Sequence, residues 1–127
     1  MEDKNFINVV KIFNKKKIFY WIGHGTLLGI IRDNKLIDWD HDLDFCLWNH
    51  QHKKSNFIKL LEEEGFTYRN DLGFGKKYDQ MSFDKKGGRR VDLNFYQKGK
   101  SANGEKIAFT KWGYPKNFIM SLIDAIS

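Results

Sequence analysis

The chain has one cysteine and one proline in 127 residues. A lone thiol at Cys46 cannot close an internal disulfide, so the fold has to be held by packing, as suits a reducing compartment. A single Pro115 argues against a proline-rich or disordered chain. The chain instead carries 11 Phe and 4 Trp, enough bulky apolar surface to build a core. Long apolar runs are also missing. The longest such region, Ile18 to Ile31, is broken by His24 and several glycines and is too short to cross a bilayer. No basic-then-apolar leader opens the chain, because Met1-Glu2-Asp3-Lys4-Asn5 is charged and polar. No zinc-type Cys/His cluster, Walker loop or dinucleotide fingerprint occurs. These absences lead us to expect a soluble, cytoplasmic protein without a transmembrane segment, folded as one domain over residues 1–127.

What is present is basic and patterned. Net charge is +6, from 22 basic and 16 acidic residues. That balance suits an anionic partner, although the lysines are dispersed in pairs, as a merely solvated surface would have them. Phe6, Val9, Val10 and Phe13 recur at helical spacing, which predicts a helix over residues 4–16. A short buried strand is expected from Ile18 to Ile22. The turn Gly23-His24-Gly25 follows, then a short helix capped by Thr26 and running to Arg32. After a loop at Asp33-Asn34-Lys35, a strand ends near Trp48. A second helix spans Asn56 to Glu64, with Phe57, Leu60 and Leu61 inward and Gly65 as its stop. Strands at Phe66–Arg69, Lys77–Phe83 and Arg89–Tyr96 come next, the last two joined by a hairpin turn at Lys85-Lys86-Gly87-Gly88. A strand at Ile107–Thr110 and a helix from Lys116 close the order. The sequence reads as an α+β fold, a mixed sheet flanked by helices.

The stretch Asp40-His41-Asp42-Leu43-Asp44-Phe45 carries the chemistry. Side chains two apart on a strand share a face, so Asp42 and Asp44 project together, about 7 Å apart at the backbone. Leu43, Phe45 and Leu47 then enter the core. Two like charges at that separation repel by roughly 2 kcal/mol at an effective dielectric near 20. A divalent cation between them relieves the repulsion. Asp40 shares their parity if the strand extends that far, as a ligand through water, as a general base, or as a turn acid. Downstream, Asp92 alternates with Val91, Leu93 and Phe95, which puts it on one face with Asn94 and Tyr96. On spacing alone it is equally a surface acid. Gly25 and Thr26 sit where backbone amides at a helix start can face a phosphate. Arg32 can clamp two phosphate oxygens or pair with Asp38 or Asp40. His24 suits a structural hydrogen bond in the turn or, alternatively, a catalytic role. Lys76, Lys77, Arg89 and Arg90 flank the hairpin as a solvated charge run or a guide for an anionic acceptor.

Gly25-Thr26-Leu27-Leu28-Gly29, Arg32, Leu36-Ile37 and Trp39 through Asp44 together resemble the LicD/fukutin-like family. That family lies within the nucleotidyltransferases sharing the DNA polymerase beta catalytic fold. Arg90-Val91-Asp92-Leu93-Asn94-Phe95-Tyr96 is similar to the family strand bearing a third metal carboxylate. Trp112-Gly113-Tyr114-Pro115-Lys116-Asn117-Phe118 is similar to a segment that closes the domain. His24 stands where members often have glycine, and Asp38 where they often have proline. The resemblance implies a mostly antiparallel mixed sheet. It also implies catalytic roles for Asp40, Asp42, Asp44 and Asp92, with Asp42, Asp44 and Asp92 as ligands of Mg2+ or Mn2+. Gly25, Thr26 and Arg32 would bind substrate. The implied activity is transfer of a phospho-alcohol group, such as phosphocholine or ribitol phosphate, from a CDP-linked donor to a glycan or teichoic-acid-like acceptor. Two other readings stay open: nucleoside monophosphate transfer to a small molecule or protein, and a nucleic-acid-binding module whose acids are incidental. A stable nucleic-acid partner is not expected.

Overall fold

A computed structural model describes residues 3–33, 42–70, 79–100, 104 and 106–109, the last four as backbone. The first helix, α1 (Lys4–Lys15), begins where the Asp3 carboxylate accepts from the amides of Asn5 and Phe6. Phe6, Val9, Ile12 and Phe13 form its buried stripe. The strand expected from Ile18 to Ile22 shortens to β1 (Trp21–Ile22). The amide of Ile18 is spent closing α1, on the carbonyl of Phe13 at 2.9 Å. Phe19 is held by a side chain, because the Gln51 carboxamide accepts from its amide at 2.9 Å and donates to its carbonyl at 2.8 Å.

Helix α2 (His24–Asp33) starts earlier than its expected cap at Thr26. The carbonyl of Gly23 already accepts from the amide of Leu27 at 3.2 Å, which places Thr26 inside the first turn. Then come β2 (Asp42–Trp48), α3 (Lys54–Glu63), β3 (Thr67–Tyr68), β4 (Gln80–Asp84), β5 (Arg90–Lys100) and β6 (Lys106–Phe109). Gly65, with φ at 88°, ends α3 as expected, and the next amide, Phe66, returns to the carbonyl of Leu61. β5 runs past Tyr96 because β6 pairs with its second half, from Gln97 opposite Phe109 to Lys100 opposite Lys106. The domain-closing segment Trp112–Phe118, the helix expected from Lys116, and Asp40, Lys76 and Lys77 lie outside the described residues.

The strands are ordered β1-β2-β5-β4-β3, with β6 alongside β5. Only the β2–β5 pairing is parallel among these, so the sheet is mixed and mostly antiparallel, as expected. Leu43, Phe45, Leu47, Met81, Phe83, Val91, Leu93 and Phe95 are fully buried with the α1 stripe and with Phe57 and Leu61 of α3. That arrangement commits the opposite parity, the acid-bearing one, to the other face of the sheet. The β4–β5 hairpin is tied to the start of α1. Asn5 donates through Nδ2 to the carbonyls of Lys85 and Arg89, and Asp3 accepts from the Arg89 amide and faces its guanidinium at 3.6 Å. Arg89 is therefore a structural anchor and not part of a solvated charge run.

Candidate active site

The parallel pairing of β2 with β5 assembles the site. Its register sets Asp42 opposite Arg90, Asp44 opposite Asp92 and Cys46 opposite Asn94. Asp44 and Asp92 thus stand side by side on neighbouring strands, with backbones about 4.8 Å apart. Asp42 lies one side-chain step before them on the same face. Antiparallel β4 adds Ser82 opposite Asp92. Residues far apart in sequence converge here because hairpin and crossover registers are fixed by the buried apolar parity on the other side.

Burial grades the three acids. Asp92 is 3% exposed and Asp44 8%, whereas the Asp42 side chain keeps about a third of its surface in solvent. Burial pushes the Asp92 carboxyl up to about 6. A hydrogen bond donated by the Ser82 hydroxyl at 2.7 Å and the nearby Arg90 charge oppose the rise, while Asp42 adds to it. Arg90 lies between the acids. Its Nη2 is 2.9 Å from Asp42 Oδ2, and its Nε is 3.3 Å from Asp92 Oδ1. That Nε atom is buried, and its contact lacks hydrogen-bond geometry. Burial disfavours the guanidinium charge, but Asp92 and Asp42 more than compensate, so its pKa rises.

The turn from β1 into α2 is locked onto β2. Thr26 is buried, and its hydroxyl accepts from the Asp44 amide at 2.9 Å while lying 3.5 Å from the Asp42 carbonyl. The amide of Gly23 donates to the Asp44 carbonyl at 3.2 Å. The Thr26 hydroxyl therefore orients the acid strand, and what it can offer a substrate is its backbone amide. Amides of the first helical turn, including those of Gly25 and Thr26, have no acceptor within their own helix and carry the positive end of its dipole. The N-terminus of α2 and the acids are thus neighbours. Arg32 is exposed in the last turn of α2.

Oxygen donors alone suit a hard divalent cation. Among the described residues, no group of three His, Cys, Asp or Glu side chains is already gathered tightly enough to hold one. The cation presently set between Asp42 and Asp92 is the Arg90 guanidinium. The all-oxygen donor set and the register of Asp44 with Asp92 still fit an ion there. Cys46 is buried on the same face, and burial raises its thiol far out of the physiological range, with the Asp44 charge adding to the rise. It is packing, not a nucleophile.

Sequence reasoning missed Ser82 and undervalued Arg90. Arg90 shares the strand parity of Asp92, and a hairpin centred on Gly87 sets Ser82 across from Asp92. Both signals were available from spacing alone.

Close packing around the turn yields a prediction. A Cβ on Gly23 would come within 2.5 Å of the buried Cys46 Sγ. Gly23→Ala is expected to destabilise by about 1–3 kcal/mol through overpacking. Adding Cys46→Ala removes the obstructing sulfur, so the double variant should melt higher than the sum of the two single effects. Additive melting shifts would place the strain elsewhere.

A 27% identity over 86 residues relates the chain to ribitol-5-phosphate transferase FKTN of Macaca fascicularis and of Homo sapiens. The match covers 68% of this chain but only 18% of the length of those relatives. The family described as LicD/FKTN/FKRP, nucleotidyltransferase domain, matches residues 17–125, which take in the glycine turn, the acid strand and Asp92. With most of its length matched, the chain belongs to the LicD/FKTN/FKRP family.

Proposed function

We propose that this chain is a divalent-cation-dependent transferase that moves a phospho-alcohol group from a CDP-linked donor to a hydroxyl of a glycan or teichoic-acid-like acceptor. The observation that carries the reading is the register of Asp44 with Asp92 on parallel strands, with Asp42 on the same face and the start of α2 beside them. Family membership and the name of the matched relatives support the phospho-alcohol class. The match covers 18% of the length of those relatives, and the CDP-linked donor and the acceptor class are what the family resemblance implies.

Asp42, Asp44 and Asp92 would hold Mg2+ or Mn2+. Such an ion supplies positive charge to the oxygens of the transferring group and helps orient the attacking hydroxyl. The protein does the rest by position. Thr26 and Gly23 fix the backbone of Asp44, so its carboxylate keeps its place as charge changes around it. Ser82 holds Oδ1 of Asp92 in place. First-turn amides of α2, Gly25 and Thr26 among them, lie where donor phosphate oxygens would be received. Arg32 is proposed as a further phosphate contact and Asp40 as the acceptor's general base.

Donor choice is the test. Calorimetry with CDP, ADP, GDP and UDP in the presence of Mg2+ is expected to favour CDP. Mass spectrometry of products from CDP-ribitol and CDP-choline should show acceptor mass increased by ribitol phosphate or phosphocholine. Tighter ADP or GDP binding, or acceptors gaining a nucleoside monophosphate, would replace this reading with nucleotidyl transfer. Salt-sensitive nucleic-acid binding that survives loss of Asp42 and Asp44 would replace both.

A further inference from the structure

We infer that Arg90 is the resident counter-cation of the acid cluster, set where a divalent ion would bind and released to the donor diphosphate when the ion enters. The inference rests on the metal reading above and adds a role for a residue that neither the family match nor the relatives assign.

Three observations carry it. Register places Arg90 opposite Asp42 and one side-chain step before Asp92 on the same face, so its guanidinium spans the two carboxylates. Its grip is uneven: a 2.9 Å contact to Asp42 is matched by a 3.3 Å contact to Asp92 whose buried Nε makes no hydrogen bond. Asp92 Oδ1 also accepts from Ser82 at 2.7 Å, so that oxygen keeps a partner when the guanidinium leaves. A buried donor left unsatisfied favours an alternative place for the group. The side chain also keeps about a third of its surface in solvent, so a path outward exists.

A divalent ion brings twice the charge to the same oxygens and repels the guanidinium. A diphosphate beside the ion offers the planar fork the oxygen pairs it matches best. Arg90 thus guards the carboxylates when no ion is present and becomes a donor ligand when both arrive. If Arg90 occupies the site about 90% of the time, apparent metal affinity is lowered about tenfold.

The test is calorimetric titration of Mn2+ alone, then of inorganic pyrophosphate with Mn2+ present, into wild type, Arg90→Met and Arg90→Lys at low ionic strength. Arg90→Met should bind Mn2+ about tenfold tighter and pyrophosphate about tenfold weaker than wild type. A merely structural arginine would weaken both. Arg90→Lys keeps the charge but cannot span Asp42 and Asp92, so it should bind Mn2+ several-fold tighter than wild type, and it carries the test if the Met variant does not fold. Equal or weaker Mn2+ binding by the folded variants, while wild type binds it, overturns the inference and leaves the metal reading intact. Arg90→Lys matching wild type in Mn2+ affinity also overturns it, by reducing Arg90 to a distant charge. Unchanged pyrophosphate affinity overturns the hand-over. No Mn2+ binding by wild type or by either variant at millimolar concentration removes the metal reading itself.

Discussion

Asp44→Asn is expected to lower phospho-alcohol transfer roughly a thousandfold while the protein stays folded. A bound cation stabilises transition-state charge by several kcal/mol, and each 1.4 kcal/mol or so is a factor of ten in rate. If Asp44 ligates such an ion as proposed, its loss would forfeit most of that. The fold should survive because the main-chain bonds of Asp44 persist in the variant. Its amide is accepted by the Thr26 hydroxyl, and its carbonyl accepts from Gly23. Neither bond involves the carboxylate, and Asn preserves the side-chain volume among buried neighbours. Asp84→Asn is the matched control, since Asp84 is a half-exposed acid on β4 paired with Arg69, away from the register of Asp44 with Asp92. Circular dichroism and melting temperature would confirm folding, and initial rates would report transfer. A folded Asp44→Asn protein turning over near the wild-type rate would remove the carboxylates from the mechanism.

Much of this site is written in local sequence because alternation is a local property. Asp42 and Asp44 share a face for the same reason that Leu43, Phe45 and Leu47 are fully buried on the other. The same parity brought Asp92 into line, and the β2–β5 register then set it beside Asp44. Two features were not legible in that way, and a third, Arg90, was legible but undervalued. Thr26 looked like a helix cap because threonine before an apolar run usually is one. Its hydroxyl instead faces a strand sixteen residues or more away in sequence, a contact that only the folded register creates. Phe19 looked like strand because its neighbours are β-formers, yet a Gln51 side chain takes the place of a ladder partner. Arg90 looked like part of a solvated basic run because it follows Arg89. Arg89 lies just before β5 and is anchored on Asp3, whereas Arg90 opens the strand on the face of the acids.

Replacing Asp92 with Asn should stabilise the protein without added metal, and by an amount that depends on pH. Burial raises the Asp92 pKa to about 6, against about 3.9 for an aspartate in an unfolded chain. The folded state therefore holds this proton more tightly than the unfolded state does. The associated stability is fully present below about pH 4 and is lost as pH rises through about 6. Two pKa units correspond to about 3 kcal/mol. Asn imitates the protonated acid at every pH: it can still accept from Ser82, and it carries no charge to bury. Below pH 4 the two proteins should melt at nearly the same temperature, and by pH 8 the variant should melt about 10 °C higher. Metal should reverse the order of benefit. Mg2+ binding to the native state would stabilise by an amount that grows with the ratio of free ion to dissociation constant, and the variant would lack one of the proposed ligands. Wild type should therefore gain more from millimolar Mg2+ at pH 8 than Asp92→Asn does. Melting curves across pH, with and without Mg2+, measure both effects. Parallel curves from pH 4 to 8, or a variant that melts lower than wild type at pH 8, would show that the Asp92 charge carries no burial penalty. An equal Mg2+ shift in both proteins would place Asp92 outside the ion's reach.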